Sequence, residues 1–358
     1  MSPLNFRRKR MTYLEFLQNV KEKFLDYMPE EYRNATLMIQ KSNKVNQEKD
    51  GLIVRGEEER FRDNIFPTIY VNDMYENYLA VGDFSEVMEQ AAKVMVNASK
   101  NVPFDIRESA MDIDRIKSNL IVCLINTEQN KEMLKEVPHR EFNDLSVIYR
   151  WIVDIHEDGV ASAVINNYNV QMLGMTEPEL YEKAMENTRE KFPMKIRDME
   201  GLISDMIFDD MDMMMDDMDV SDIEMLQQGI ADILNDRYSS NMYVFTNGPG
   251  MFGANAMLFE DQLYDFSQKF GGDFYIIPSS IHDLIAVCPE MCTPEMLADL
   301  VYEVNREQVD IGERLSNEVY FYDSNAREVI CVTDVPNKEL RNMKDERSFG
   351  DEEIDKRR

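Results

Sequence analysis

FYIIPSSIHDLIAV, residues 274–287, decides the fold class of this chain. Two short apolar runs, 274–278 and 284–288, flank the polar turn 279–283. Short runs rich in isoleucine, valine and aromatics read as strands, and so short a loop joins antiparallel neighbours, because a parallel pair needs a long crossover. Upstream, a helix runs to Phe270 and stops at Gly271 and Gly272. Downstream, Thr293, Pro294 and Glu295 start another, with Met296, Leu297, Leu300, Val301 and Val304 as its expected buried stripe. Further out, 242–246 and 254–259 read as strands around 247–253, and 319–322 and 329–332 as a closing hairpin. The order is strand-strand-helix, strand-strand-helix, strand-strand. Hairpins with helices layered on them make an α+β fold.

The first half shares this strand-strand-helix rhythm, so two antiparallel-sheet units layered with helices are expected. Thr12 with Glu15 is a capping-box pattern, and Tyr13, Phe16, Leu17, Val20 and Phe24 share one helical face. Residues 35–40 and 52–55 read as strands joined by a polar loop, 42–50, with 67–71 as a third strand. Asp83 with Glu86 caps a helix carrying Val87, Met88, Ala91, Val94, Met95 and Ala98. The unbroken apolar run 120–125 predicts a strand covered on both faces. Alternation over 147–154 predicts another, with 160–165 returning beside it. Thr176 with Glu179 caps a helix reaching Lys191.

Residues 205–225, DMIFDDMDMMMDDMDVSDIEM, contain no basic residue. Adjacent aspartates repel one another and are poor helix formers. This break in composition predicts a basic arm at 1–10, an α+β unit at 11–198, an acidic Met/Asp-rich connector at 199–236, a second α+β unit at 237–335 and a charged tail at 336–358.

The 358 residues include 39 Lys and Arg against 69 Asp and Glu, a net charge of −30. Such a field repels nucleic acid and anionic membranes and speeds encounter with a basic protein. No run approaches the ~18 apolar residues of a membrane span. No apolar signal core follows the basic cluster at 7–10, so the expected location is the cytoplasm. Cys123, Cys288, Cys292 and Cys331 are too few for a disulfide scaffold and read as free thiols.

One stretch gathers catalytic residue types. Ser279, Ser280 and His282, with Asp283, set hydroxyls, an imidazole and a carboxylate side by side, as nucleophilic hydrolysis requires. Neighbours at a hairpin end diverge, however, and serine in a turn bonds the local backbone. The turn therefore reads first as structural and second as a hydrolase site. NGPGMFG at 247–253 lacks the lysine and the following helix of a phosphate cradle. It reads as a hairpin loop with glycines at positive φ, offering Asn247, Met251 and Phe252 as binding candidates and Met251-Phe252 as an exposed contact. His139 and Arg140, read as a loop between a helix and a strand, suit an anion or a carboxylate. Cys288 and Cys292 lack the two further ligands of a zinc site. The acidic segment breaks the calcium-loop pattern, with Asp222 where glycine belongs and Gln228 where glutamate belongs. No metal and no cofactor is expected.

PHREFNDLSVIYRWIVDI, MTEPELYEKAMENT, MYVFTNGPGMFGANAML and FYIIPSSIHDLIAV together resemble an uncharacterised family, a domain of unknown function from anaerobic Gram-positive gut bacteria, over 12–332. The resemblance implies no activity, cofactor or catalytic residue. The functional expectation is a non-enzymatic protein that binds another macromolecule, with a basic protein as partner. Two alternatives stand beside it: a hydrolase or small-ligand enzyme built on Ser279, Ser280 and His282, and an acidic mimic of DNA. A mimic needs carboxylates regularly spaced on a rigid face, unlike the clustered aspartates of 205–225.

Overall fold

The structure is a computed structural model that describes residues 10–55, 67–100, 112–156, 159–199, 201–202 and 242–335. It is an α+β protein of antiparallel sheets and packed helices. The chain divides into two compact units, Met1–Ile113 and Asp114–Arg358. No helix among the described residues is long and apolar enough to cross a membrane.

In the first unit, α1 (Tyr13–Lys23) starts at Thr12, which closes a capping box with Glu15. Phe16 and Val20 of this helix, and Phe24 just beyond it, are fully buried. β1 (Thr36–Lys44) and β2 (Gln47–Arg55) form a long hairpin, and β3 (Thr68–Tyr70) pairs with β2. The polar run 42–50, expected as a loop, is mostly strand, for the ladder continues to Lys44 opposite Gln47. Asn46 makes the tight turn at φ 59, a left-handed position that asparagine tolerates. Polar residues pair here because their charges meet across the strands: Lys41 Nζ lies 3.0 Å from Glu48 and 3.3 Å from Asp50. α2 (Val71–Val81), stopped by Gly82 at φ 81, and α3 (Phe84–Lys100) complete this core with Met74, Tyr78, Val87, Met88 and Met95.

The second unit holds α4 (Ile113–Ser118), β4 (Leu120–Asn126), α5 (Lys131–Leu134), β5 (His139–Phe142), β6 (Leu145–His156), β7 (Gly159–Val164), α6 (Asn167–Leu173) and α7 (Glu177–Lys191). Then come β8 (Met194–Asp198), β9 (Met242–Asn247), α8 (Glu260–Phe270), β10 (Phe274–Pro278), β11 (Leu284–Val287), α9 (Pro294–Glu307), β12 (Tyr320–Asp323) and β13 (Glu328–Cys331). In one sheet β6 pairs with β4 along one edge and with β5 and β7 along the other. The other sheet has the order β13-β12-β10-β11-β9-β8. Phe245, Phe274, Leu284 and Tyr320 on one face of it share a core with Leu120, Val122 and Tyr149 of the first sheet. Ile277, Val287 and Val319 on its other face receive Leu297, Ala298 and Val301 of α9.

β4 is buried at every position, yet among the described residues one edge of it has no strand beside it. Side chains complete that edge. Thr188 Oγ1 accepts from Val122 N–H (3.0 Å), and Asn187 Nδ2 donates to Leu120 O (2.9 Å). Asn255 does both, accepting from Leu124 N–H (3.2 Å) and donating to Val122 O (2.8 Å).

Further features bear on the sequence reading. β8 precedes the acidic segment and β9 follows it, yet they pair from Met194 opposite Asn247 to Asp198 opposite Tyr243. Both strands belong to the second compact unit, which begins at Asp114. Residues 203–241, with most of the expected connector, lie outside the described residues, as do residues 1–9 of the expected arm at 1–10 and the tail from 336. Next, 254–259 is not a strand: Gly253–Leu258 is a 3-10 helix buried through Met257. A short, wholly buried apolar run has no period to separate helix from strand. Last, the buried stripe of α9 is narrower than expected, because Met296 and Leu300 stand in solvent.

Candidate functional site

β9 pairs with β11, so the end of β9 and the turn before β11 arrive side by side. This brings His282 to Phe252, 30 residues earlier in sequence, in the loop that also carries Asn247 and Met251. Asn247 closes its own loop: Nδ2 donates to Met251 O (2.6 Å), and Met251 N–H donates back to Oδ1 (3.2 Å). Gly250 takes φ 65, and Phe252 takes φ 59, where a bulky residue is strained by about 1 kcal/mol or more. Surrounding contacts fix its ring. Phe192 meets it edge-on at 6.2 Å, and the Arg150 guanidinium stands 5.8 Å from its centre. Gly253 follows, where a Cβ would lie 2.1 Å from the carbonyl oxygen of His282, so only glycine permits the approach.

These contacts decide what the imidazole does. Phe252 N–H donates to His282 Nδ1 at 3.2 Å. The ring proton therefore sits on Nε2, which faces Glu313 Oε1 at 3.5 Å. Ser280 Oγ accepts from the backbone N–H of His282 (2.9 Å) and not from the ring. Ser279 makes no hydrogen bond to His282 either. The nucleophile–base contact of a serine hydrolase is absent from this arrangement, and both ring nitrogens face groups of the protein. Phe252 is 6% exposed, so the expected outward Met251-Phe252 contact is not formed by the ring.

His139 and Arg140 stand on β5, not in a loop. Arg140 meets Glu177 at the start of α7 with two bonds, Nε to Oε1 at 3.2 Å and Nη2 to Oε2 at 3.0 Å. Its guanidinium also stacks 3.8 Å over the Tyr181 ring, and Tyr149 OH donates to the same carboxylate. Burial raises the Glu177 carboxyl, but the bonds from Arg140 and Tyr149 and the Arg140 charge outweigh it and hold the group below the usual range. Burial, followed by the bond to Glu177, pushes the Tyr149 phenol far up. Arg140 thus already holds one of the protein's own carboxylates. His139 is exposed, with Nδ1 3.0 Å from Val137 O.

A buried polar cluster was not legible in the sequence. Asp144, in the turn between β5 and β6, accepts from Tyr320 OH (2.6 Å) and Ser316 Oγ (2.7 Å). Glu318, 3% exposed, accepts from Thr333 Oγ1 (2.6 Å). Burial raises the Tyr320 phenol well above its ordinary value. A cavity of about 30 Å³ lies among Asn126, Asp144, Ser316, Asn317 and Glu318, about the size of one water. In sequence, 316–318 is a short polar run between a helix and a strand, indistinguishable from an exposed loop.

The four cysteines are free. Cys123 is buried, which pushes its thiol up to about 11. Among the described residues, no three His, Cys, Asp or Glu side chains converge as a metal set would. No curated protein and no solved structure matches the chain. A family model does match, over residues 13–324, and with that coverage the chain belongs to DUF5688, a family of unknown function.

Proposed function

We propose that this protein works by binding a basic partner protein in the cytoplasm and catalyses no reaction of its own. The distribution of charge carries the reading. The unit beginning at Asp114 holds 50 of the 69 Asp and Glu but only 23 of the 39 Lys and Arg; the first unit is close to balance. A one-signed field of this kind raises the association rate of an oppositely charged protein, and salt screens it. The contacts at His282 and Arg140 favour binding over hydrolysis, since the groups a hydrolase or an anion receptor would use are engaged within the chain.

The test has two arms. A partner captured from the native host and repurified should associate more slowly as ionic strength rises. In parallel, wild type, Ser280→Ala and His282→Ala are screened against ester, amide and phosphoester substrates. An activity that survives purification and vanishes in both variants at unchanged melting temperature overturns the reading.

A further inference from the structure

We infer that the outward face of α9 is a docking surface for a basic amphipathic helix of the partner. The inference rests on the proposed basic partner and names where and how that partner binds. Leu297, Ala298 and Val301 seat α9 on the six-stranded sheet, while Met296 is 61% and Leu300 50% exposed. Residues four apart stack on one helix face, so these two side chains form a continuous apolar row. Met291, 42% exposed, lies in the turn just before the helix. Isolated exposed apolar residues are ordinary, but a row beside an already filled core stripe is a helix face that the described residues leave uncovered.

The charge beside that row identifies the partner chemistry. Glu295, Asp299 and Glu303 run along the same helix at four-residue spacing, all exposed. Among the described residues, none of the three has an ion-pair or hydrogen-bond partner. Like charges at this spacing weaken a helix. One turn further on, Glu307 is answered by Arg306 at 2.7 Å. The uncompensated charge is thus confined to the turns that present Met296 and Leu300. Successive carboxylates stand about 6 Å apart along the axis, the spacing of every fourth residue on another helix. The complement is a helix with apolar residues at i and i+4 bordered by Lys or Arg at the same interval. Rim charges would set encounter rate and register, and the apolar row would set residence time.

The full-length protein would be titrated with a labelled synthetic helix of about 20 residues. The peptide carries leucine at i and i+4 beside a row of arginines; a scrambled peptide of equal composition and one with glutamate in place of arginine serve as controls. The amphipathic peptide should bind at least about fivefold tighter than the scrambled one. Met296→Ser with Leu300→Ser should weaken it at least about tenfold at low and high salt alike. Asp299→Lys with Glu303→Lys should weaken it at low salt and create binding of the glutamate peptide. All four positions are exposed, so melting temperatures should hold.

Equal binding of the scrambled peptide overturns the inference, leaving only non-specific attraction. Salt-sensitive binding of a captured partner that ignores both double variants overturns the α9 assignment while sparing the basic-partner reading. If duplex DNA also displaces that partner, the acidic surface acts as a nucleic-acid mimic elsewhere on the chain. Failure to bind any basic peptide or basic partner at low salt overturns both readings.

Discussion

Replacing Asn255 with alanine should cost the second unit about 2–4 kcal/mol. The side chain is 2% exposed and makes two bonds to β4, a strand buried along its whole length. Truncation leaves Val122 C=O and Leu124 N–H unpaired in the core. An unpaired buried polar group costs roughly 1–3 kcal/mol, and a water admitted to the vacated space recovers part of that. The chain contains one tryptophan, Trp151, which lies opposite Leu120 in the β4–β6 ladder. Its fluorescence therefore reports on this sheet during urea unfolding. The expected result is a lower midpoint at unchanged slope. Asn255→Asp keeps an acceptor for Leu124 but turns a carboxylate toward the Val122 carbonyl, so at neutral pH it should be at least as damaging as alanine. It should recover partly in acid, where a protonated carboxyl can donate. A midpoint for Asn255→Ala within about 0.5 kcal/mol of wild type, the scale of an ordinary surface change, would refute the edge-closing role.

Glu177→Gln tests the Arg140 network: the folded carboxyl titrates below the unfolded one, so its contribution is present above the unfolded pKa and is lost as pH falls through the folded value. Wild type should exceed the variant by about 1 kcal/mol at neutral pH, a modest figure because both partners are part-exposed, and the two should converge in acid; a gap that persists in acid points to lost packing instead. A site-specific protease sequence inserted within 205–225 and then cut should leave the two pieces co-eluting under native conditions, because β8 and β9 pair across the cut; pieces that separate without denaturant contradict that pairing. Melting temperature should rise with salt as self-repulsion is screened, while partner affinity falls; stability that drops with added salt would mean attractive pairs outweigh the net charge of −30.

The legible parts of this fold are those whose chemistry is local. Thr12 with Glu15 and Thr176 with Glu179 mark helix starts because a capping box is completed within one turn of chain. The hairpin at 274–287 is legible because its loop leaves antiparallel pairing as the available choice. What escaped depends on distant partners. The polar residues 42–50 form strand because their charges meet across the ladder. The pairing of β8 with β9 spans a segment whose composition resembles a boundary. On α9, periodicity marks an apolar stripe but not how much of it the sheet covers, so Met296 and Leu300 read as core. The candidate residues around 247–253 and 279–283 were visible as types. That Phe252 would take φ 59 and donate to His282, with Gly253 against its carbonyl, depends on the register of β9 and β11.

Three sheet edges of the second unit are guarded against a further strand. An open strand edge invites another chain to pair with it. In the second unit two of these edges are closed by asparagines in the same way. Asn255 accepts from Leu124 N–H and donates to Val122 O on β4. Asn143, in the turn between β5 and β6, accepts from Cys331 N–H (3.2 Å) and donates to Val329 O (3.1 Å) on β13. Each amide meets the N–H of one residue and the C=O of the residue two before it, as a neighbouring strand would. A carboxylate would serve half of this, since it accepts but does not donate, and within so acidic a unit its charge would be costlier to bury. A third edge, β8, carries Lys195, Arg197 and Asp198, and charged side chains discourage strand addition. Among the described carboxylates of the second unit, all but Glu318 stand at least partly at the surface. There, Glu295, Asp299 and Glu303 line an apolar row that no part of the described chain covers.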